Sequence, residues 1–127
     1  MKMLLALLAF LPLSITACAQ SPQGSLDTKA FKVANDKNDA LLIDLRTPDE
    51  FKQGHIEGAA NINWSGGTLL SDVSGIDKTK PVLLYCAGGK QSDEAMEVLK
   101  KAGFTDIHNL KGGFHAWEAD KQPVITQ

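Results

Sequence analysis

The stretch PVLLYCAGGKQS, residues 81–92, joins an apolar run to a glycine loop and then to a helix-like segment. This order predicts a buried strand that ends at Cys86, a tight loop and the start of a helix. Gly88 and Gly89 lack a Cβ, so the loop can turn its N–H groups inward and form a site for an anion such as a thiolate. Cys86 is therefore the leading candidate for a nucleophile. The competing interpretation is a buried, inert cysteine at the end of a strand.

The residues after Cys86 supply what an anion site requires. Lys90 brings a positive charge, and Ser92 is a suitable cap for a helix over residues 92–102 that ends at Gly103. The positive end of that helix would face the sulfur. We therefore predict a substrate-binding loop made of Ala87, Gly88, Gly89, Lys90, Gln91 and Ser92.

Strand-like and helix-like segments alternate along the rest of the chain. The predicted strands lie at residues 41–45, 59–63, 82–85 and 107–110, and the predicted helices at 28–37, 48–53 and 92–102. Apolar strands that alternate with helices predict an α/β fold in which a parallel sheet is covered by helices on both faces. Ligands bind such sheets at the carboxyl ends of the strands, which is where Cys86 falls.

The length and charge of the chain limit the classes of function that it can have. A chain of 127 residues has room for one small domain. Its 13 Lys and Arg against 15 Asp and Glu give a net charge of −2, and no basic stretch points to nucleic acid as a partner. His108 and His115 have no ligand-like spacing with each other or with Cys86, so we predict no metal site. Nothing in the sequence calls for a cofactor.

The first residues read as an export signal followed by a membrane anchor. A short apolar run follows Lys2, and the residues before Cys18 resemble the lipobox of bacterial lipoproteins, in which the cysteine is lipidated and becomes the new N-terminus. Ordinary signal cleavage at the same place is the alternative. We predict a signal peptide at 1–17, a tether at 18–24, a domain at 25–122, and a location in the periplasm or cell envelope. Cys86 would then be the single thiol of the mature domain.

Three motifs together resemble those of the single-domain rhodaneses. The first is DLRTPDEFKQGHIEGAANI at residues 44–62, the second is the loop at 86–92, and the third is GGFHAW at 112–117. They occur in the family's order and spacing, and with their connecting elements they cover about residues 25 to 120. The resemblance implies a five-stranded, mainly parallel sheet and sulfurtransferase activity. Cys86 would take sulfane sulfur from a donor such as thiosulfate or polysulfide, hold it as a persulfide and pass it to cyanide or a thiol.

Asp44 and Arg46 in the first motif are interpreted as structural support. Arg46 is the only arginine in the chain, which suggests that its planar fork is needed for pairing with Asp44, Glu50 or another acid. Asp44 resembles a strand-end residue that orders the following loop. His55 is expected to fix a turn rather than act as a base.

Two other functions remain open from the sequence. One is a non-catalytic or partner-dependent module that carries sulfur to a redox or relay protein of the cell envelope. The other is a related phosphatase or arsenate reductase, but those enzymes have a longer cysteine loop that ends in arginine. Here Gln91 stands where many single-domain rhodaneses carry arginine, which supports persulfide chemistry at Cys86 more than it supports thiosulfate as the natural donor.

Overall fold

The computed structural model describes residues 23–127. The five strands are β1 (Gln23–Leu26), β2 (Leu41–Asp44), β3 (Ala60–Asn61), β4 (Val82–Tyr85) and β5 (Ile107–Leu110). The five α-helices are α1 (Thr28–Asp36), α2 (Pro48–Gln53), α3 (Leu69–Asp72), α4 (Lys90–Lys101) and α5 (Gly113–Ala119), with one 3₁₀ turn at Trp64–Gly66.

The strands form one sheet in the order β1-β5-β4-β2-β3, and every neighbouring pair is parallel. The predicted α/β fold with five strands is confirmed, and the sheet is wholly rather than mainly parallel. β4 lies at the centre and all four of its side chains are buried. Because parallel strands all point one way, the ends of β2, β4 and β5 place Asp44, Tyr85 and Leu110 at one edge of the sheet.

Helices cover both faces of the sheet. On one face, Leu84 of β4 belongs to a buried cluster with Leu69 of α3 and Leu99 of α4. On the other face, Leu83 of β4 belongs to a cluster with Phe31 of α1, and Phe114 and Trp117 of α5 also contribute to it. Alternate residues of β4 therefore hold the two helical layers against the sheet.

The first strand corrects the predicted tether. We expected a flexible segment at 18–24, but β1 begins at Gln23 and pairs with β5, Gln23 opposite Ile107 and Gly24 opposite His108. This pairing joins residues more than 80 positions apart, so local composition could not show it. Cys18, the signal peptide and the remainder of the tether lie outside the described residues.

The cysteine-loop helix also differs from the expectation. It begins at Lys90 rather than at Ser92, with Gly89 as its N-cap. Gly89 has a φ of +102°, which glycine adopts readily, so the chain enters the helix immediately after the loop. Ser92 consequently lies inside the first turn.

In the part of the chain that the structure describes, no helix is long and apolar enough to cross a bilayer.

Candidate active site

Cys86 lies directly after β4, with its sulfur enclosed by the start of α4. The backbone N–H of Gly89 donates to Sγ at 3.0 Å, and that of Ser92 donates at 3.4 Å. The thiol also lies 3.5 Å from the Oγ of Ser92 and can donate to it. The side chain of Cys86 is buried, and Ser92 is fully buried. The two N–H groups stabilise negative charge on the sulfur, since each directs a positive dipole at it.

The other predicted loop residues occupy the rim. Gly88, Lys90 and Gln91 are exposed, and Ala87 is half-buried. The structure thus brings Cys86, Gly89 and Ser92 together and leaves the only lysine of the loop on the surface. A role of the rim residues in binding substrate stays a prediction.

The loop is held from behind by the start of α5. Phe114 N–H donates to the carbonyl of Cys86 at 2.8 Å, and His115 N–H donates to that of Ala87 at 3.0 Å. Gly113, with a φ of +63°, allows this approach: a Cβ there would lie 2.5 Å from the Ala87 oxygen and 2.6 Å from the Cys86 oxygen. Gly113 belongs to the third sequence motif, but its contact with the cysteine loop is visible only in the three-dimensional structure.

Asp44 and Arg46 form a buried ion pair. The guanidinium of Arg46 forms a forked pair with the Asp44 carboxylate, with Nη2 to Oδ2 at 2.7 Å and Nε to Oδ1 at 3.1 Å. Nη2 also donates to the Gly54 carbonyl at 2.6 Å, and the guanidinium stacks 3.8 Å from the Phe114 ring centre. Both charged residues are buried. Burial by itself lowers the pKa of Arg46, but the hydrogen bond and charge of Asp44 outweigh it and the pKa is raised.

Tyr85 completes this network beneath the loop. Its hydroxyl donates to Asp44 Oδ2 at 2.7 Å and accepts from the Ile56 N–H at 3.1 Å. Burial raises the pKa of Tyr85, and the neighbouring carboxylate raises it further, so the phenol stays neutral and remains a donor. The last residue of β4 is therefore anchored immediately before the nucleophile.

Asn109 is a residue that the sequence analysis missed. It lies in β5, is 1% exposed, and donates to Ser92 Oγ at 3.4 Å. The available signal was an amide between His108 and Leu110 in a segment that we predicted to be a buried strand.

A cavity of about 290 Å³ adjoins the cysteine loop at Ala87. Its walls are formed by Arg46, Glu50, Gln53, Gly54, Ala87, Phe114, His115, Glu118 and Val124. Glu50 and Glu118 are exposed carboxylates, whereas the charge of Arg46 is already paired with Asp44. The cavity therefore has exposed carboxylates in its wall and meets the cysteine loop at Ala87, the residue after the nucleophile.

The His55 side chain contacts a backbone carbonyl outside the cysteine loop. His55 Nδ1 contacts the Phe51 carbonyl at 2.7 Å, and the backbone of His55 pairs with Ile125. These contacts agree with the predicted role of His55 in fixing a turn, which stays a prediction. Within residues 23–127, no group of three or more His, Cys, Asp or Glu side chains is arranged to hold a metal ion.

The profile of the family described as "Rhodanese-like domain" matches residues 27–120, which includes the cysteine loop and its supports. The chain belongs to the rhodanese-like family. Solved rhodanese-like structures share the fold: a rhodanese-related protein from Thermoplasma volcanium is 25% identical with a TM-score of 0.70, over 81% of this chain and 98% of that one. The Alr3790 protein from Anabaena is 28% identical with a TM-score of 0.72, over 80% and 82% of the two chains.

Curated relatives of this rhodanese-like chain include one with a named activity. The thiosulfate sulfurtransferase GlpE of Pseudoalteromonas translucida is 32% identical over 66% of this chain and 78% of that protein. The uncharacterized protein YqhL of Bacillus subtilis is 49% identical over 61% of this chain and 60% of its own. The alignment with YqhL therefore spans about three fifths of either protein.

Proposed function

We propose that this rhodanese-like domain is a sulfurtransferase that works through a persulfide on Cys86. The observation that carries the proposal is the sulfur cradle, in which two backbone N–H groups at the start of α4 point at Sγ. Such donors stabilise a thiolate and the charge that develops on sulfur during transfer. The sulfurtransferase name of the Pseudoalteromonas relative supports the same reaction.

The reaction balances without a redox partner. The Cys86 thiolate attacks a sulfane sulfur, a new Sγ–S bond forms, and a donor S–S bond breaks, so the shortened donor leaves with the electron pair. An acceptor thiolate then attacks the outer sulfur, the Sγ–S bond breaks, and the Cys86 thiolate is restored. Cyanide accepts the same sulfur and becomes thiocyanate. The single transfer is thus divided into two displacements at one thiolate.

Charge at the site favours polysulfide over thiosulfate as the donor. Thiosulfate is a compact dianion and its leaving group is also doubly charged, so it needs a cation close to the nucleophile. Lys90 is exposed at the rim, and Glu50 and Glu118 line the adjoining cavity. A polysulfide chain spreads its charge over several sulfur atoms and can leave one end in solvent. We therefore propose polysulfide as the preferred small donor.

Donor preference can be measured by exposing the full chain separately to thiosulfate and to polysulfide and mapping the Cys86 peptide by mass spectrometry. We expect one added sulfur atom that cyanide removes as thiocyanate. Polysulfide should load about tenfold faster than thiosulfate, a difference of about 1.4 kcal/mol in activation free energy, because the exposed carboxylates of Glu50 and Glu118 repel the compact dianion more strongly. Peptide mapping separates Cys86 from Cys18.

Two controls make this test decisive. Cys86→Ser should carry no added sulfur, and the double variant Glu50→Gln/Glu118→Gln should load thiosulfate faster than the unmodified chain. No adduct on Cys86 from either donor would refute sulfur transfer from small donors. An adduct that small acceptors do not remove would instead indicate a carrier that needs a protein partner.

We also propose that the chain is exported and held at a membrane of the cell envelope by lipid on Cys18. Only the sequence supports this proposal, through the apolar run and the lipobox-like residues before Cys18. In a bacterial host supplied with a labelled fatty acid, we expect the full chain to take up label and Cys18→Ala to take up none. Equal labelling of both proteins would contradict the anchor.

A further inference from the structure

Asn109 occupies a position that the sheet would otherwise give to an aliphatic residue. It follows Ile107 on the same face of β5 and stands between Ser25 of β1 and Leu84 of β4. Ile107 and Leu84 both belong to the apolar cluster on the α4 face of the sheet. A buried amide in such a place costs free energy unless its hydrogen bonds are made.

The hydrogen bonds of Asn109 fix the orientation of its amide. Nδ2 donates to a carboxylate oxygen of Asp93 and to Ser92 Oγ, and Oδ1 accepts from Ser25 Oγ at 2.6 Å. A carboxylate only accepts, so Nδ2 must be the atom that faces Asp93. The same NH₂ group therefore presents a donor, never an acceptor, to the Ser92 hydroxyl.

This arrangement restricts where the Ser92 hydroxyl can send its proton. Asn109 cannot accept it, so the neighbouring acceptors are the Gly89 carbonyl, at 3.0 Å, and the sulfur of Cys86, at 3.5 Å. While Cys86 is a thiol, its S–H can donate to Ser92 and the hydroxyl donates to Gly89. Once the thiol proton has left to solvent, the sulfur only accepts, and the hydroxyl can turn to it. Gly89 keeps a partner after that turn, because its carbonyl also accepts from Asp93 N–H at 3.1 Å.

We infer that Asn109 is a positioning residue for the nucleophile: through Ser92 it directs a hydroxyl donor at the Cys86 thiolate. The inference rests on the proposed function only in taking Cys86 as the reacting group. The hydroxyl adds a third donor to the N–H groups of Gly89 and Ser92. Donation from Asn109 polarises that hydroxyl, since hydrogen bonds in a buried chain strengthen one another.

The test is the pH dependence of iodoacetamide alkylation, followed on the Cys86 peptide of the full chain. We expect Asn109→Leu to raise the midpoint of the pH–rate profile by about half a pH unit, which is about a threefold slower reaction below the midpoint. The limiting rate at high pH should not change. Ser92→Ala should raise the midpoint at least as much, and Asn109→Leu should add nothing in a Ser92→Ala background.

The matched control is Ser25→Ala, which removes the partner of Asn109 Oδ1 but leaves both of its donors in place. We expect this variant to keep the original midpoint. Asn109→Thr replaces the leucine variant if thermal melting shows that the latter is unfolded, because a β-branched residue suits a strand. An unchanged midpoint in the Asn109 variant, or a shift that adds in full to that of Ser92→Ala, would overturn the inference.

Alkylation needs no sulfur donor, which keeps this test separate from that of the proposed function. A midpoint shift in a chain that never forms a persulfide would refute sulfur transfer and leave the role of Asn109 intact. Persulfide formation together with an unchanged midpoint in the Asn109 variant would support sulfur transfer and refute the role of Asn109.

Discussion

Replacing Gly113 by alanine is expected to abolish sulfur loading of Cys86 and to destabilise the domain by about 3 to 4 kcal/mol. A left-handed backbone costs a residue with a Cβ about 1–2 kcal/mol. The new Cβ would also collide with the carbonyls of Cys86 and Ala87, which are backbone atoms that cannot rotate away. Relief requires α5 to move back, and the hydrogen bonds from Phe114 and His115 to these carbonyls would be lost. Each of these two hydrogen bonds contributes about 1 kcal/mol to stability.

Gly67→Ala is the matched control for this variant. Gly67 has a similar φ of +70°, but no atom lies within 4 Å of the position of its Cβ. Gly67→Ala should therefore be destabilised only by the cost of the left-handed backbone, about 1–2 kcal/mol, and should load sulfur normally. Urea unfolding gives the free energy of each variant, and mass spectrometry of the Cys86 peptide gives its loading. Equal destabilisation of both variants would show that the approach of α5 to the cysteine loop is unimportant.

The elements around the site could be predicted from local sequence signals, but the contact of Gly113 with the cysteine loop could not. The positions of β2, β4, β5 and α2 followed from apolar runs and cap residues, which are local signals. Cys86 could be placed at a strand end for the same reason. The close contact of Gly113 with Cys86 joins two motifs that are far apart in the chain. The sequence therefore showed a glycine in the third motif but could not show that this glycine packs against the cysteine loop.

The missed and misplaced features have the same cause. Strand β1 contains Gln23, Gly24 and Ser25, a composition typical of a linker, and becomes a strand because β5 is available to pair with it. Asn109 was absorbed into an apolar run because its partners come from β1 and α4. Both depend on a tertiary contact that overrides local preference.

Arg46→Met is expected to lower the free energy of unfolding by about 3–5 kcal/mol, as is usual when one partner of a buried ion pair is removed. Asp44 is fully buried and would be left with only the Tyr85 hydroxyl and the backbone N–H of residue 46 as partners. The Gly54 carbonyl would lose its donor as well. Urea unfolding compared with the unmodified chain measures the loss.

Two further variants separate the charge of Arg46 from its shape. Asp44→Asn combined with Arg46→Met removes the unpaired charge, so the double variant should be more stable than Arg46→Met alone. Arg46→Lys keeps the charge but has no planar fork to reach both Asp44 and Gly54, and we expect an intermediate loss. If the double variant were no more stable than Arg46→Met, the cost would come from packing against Phe114 rather than from the buried carboxylate. Because Phe114 N–H also holds the Cys86 carbonyl, sulfur loading would fall in that case even where the fold survived.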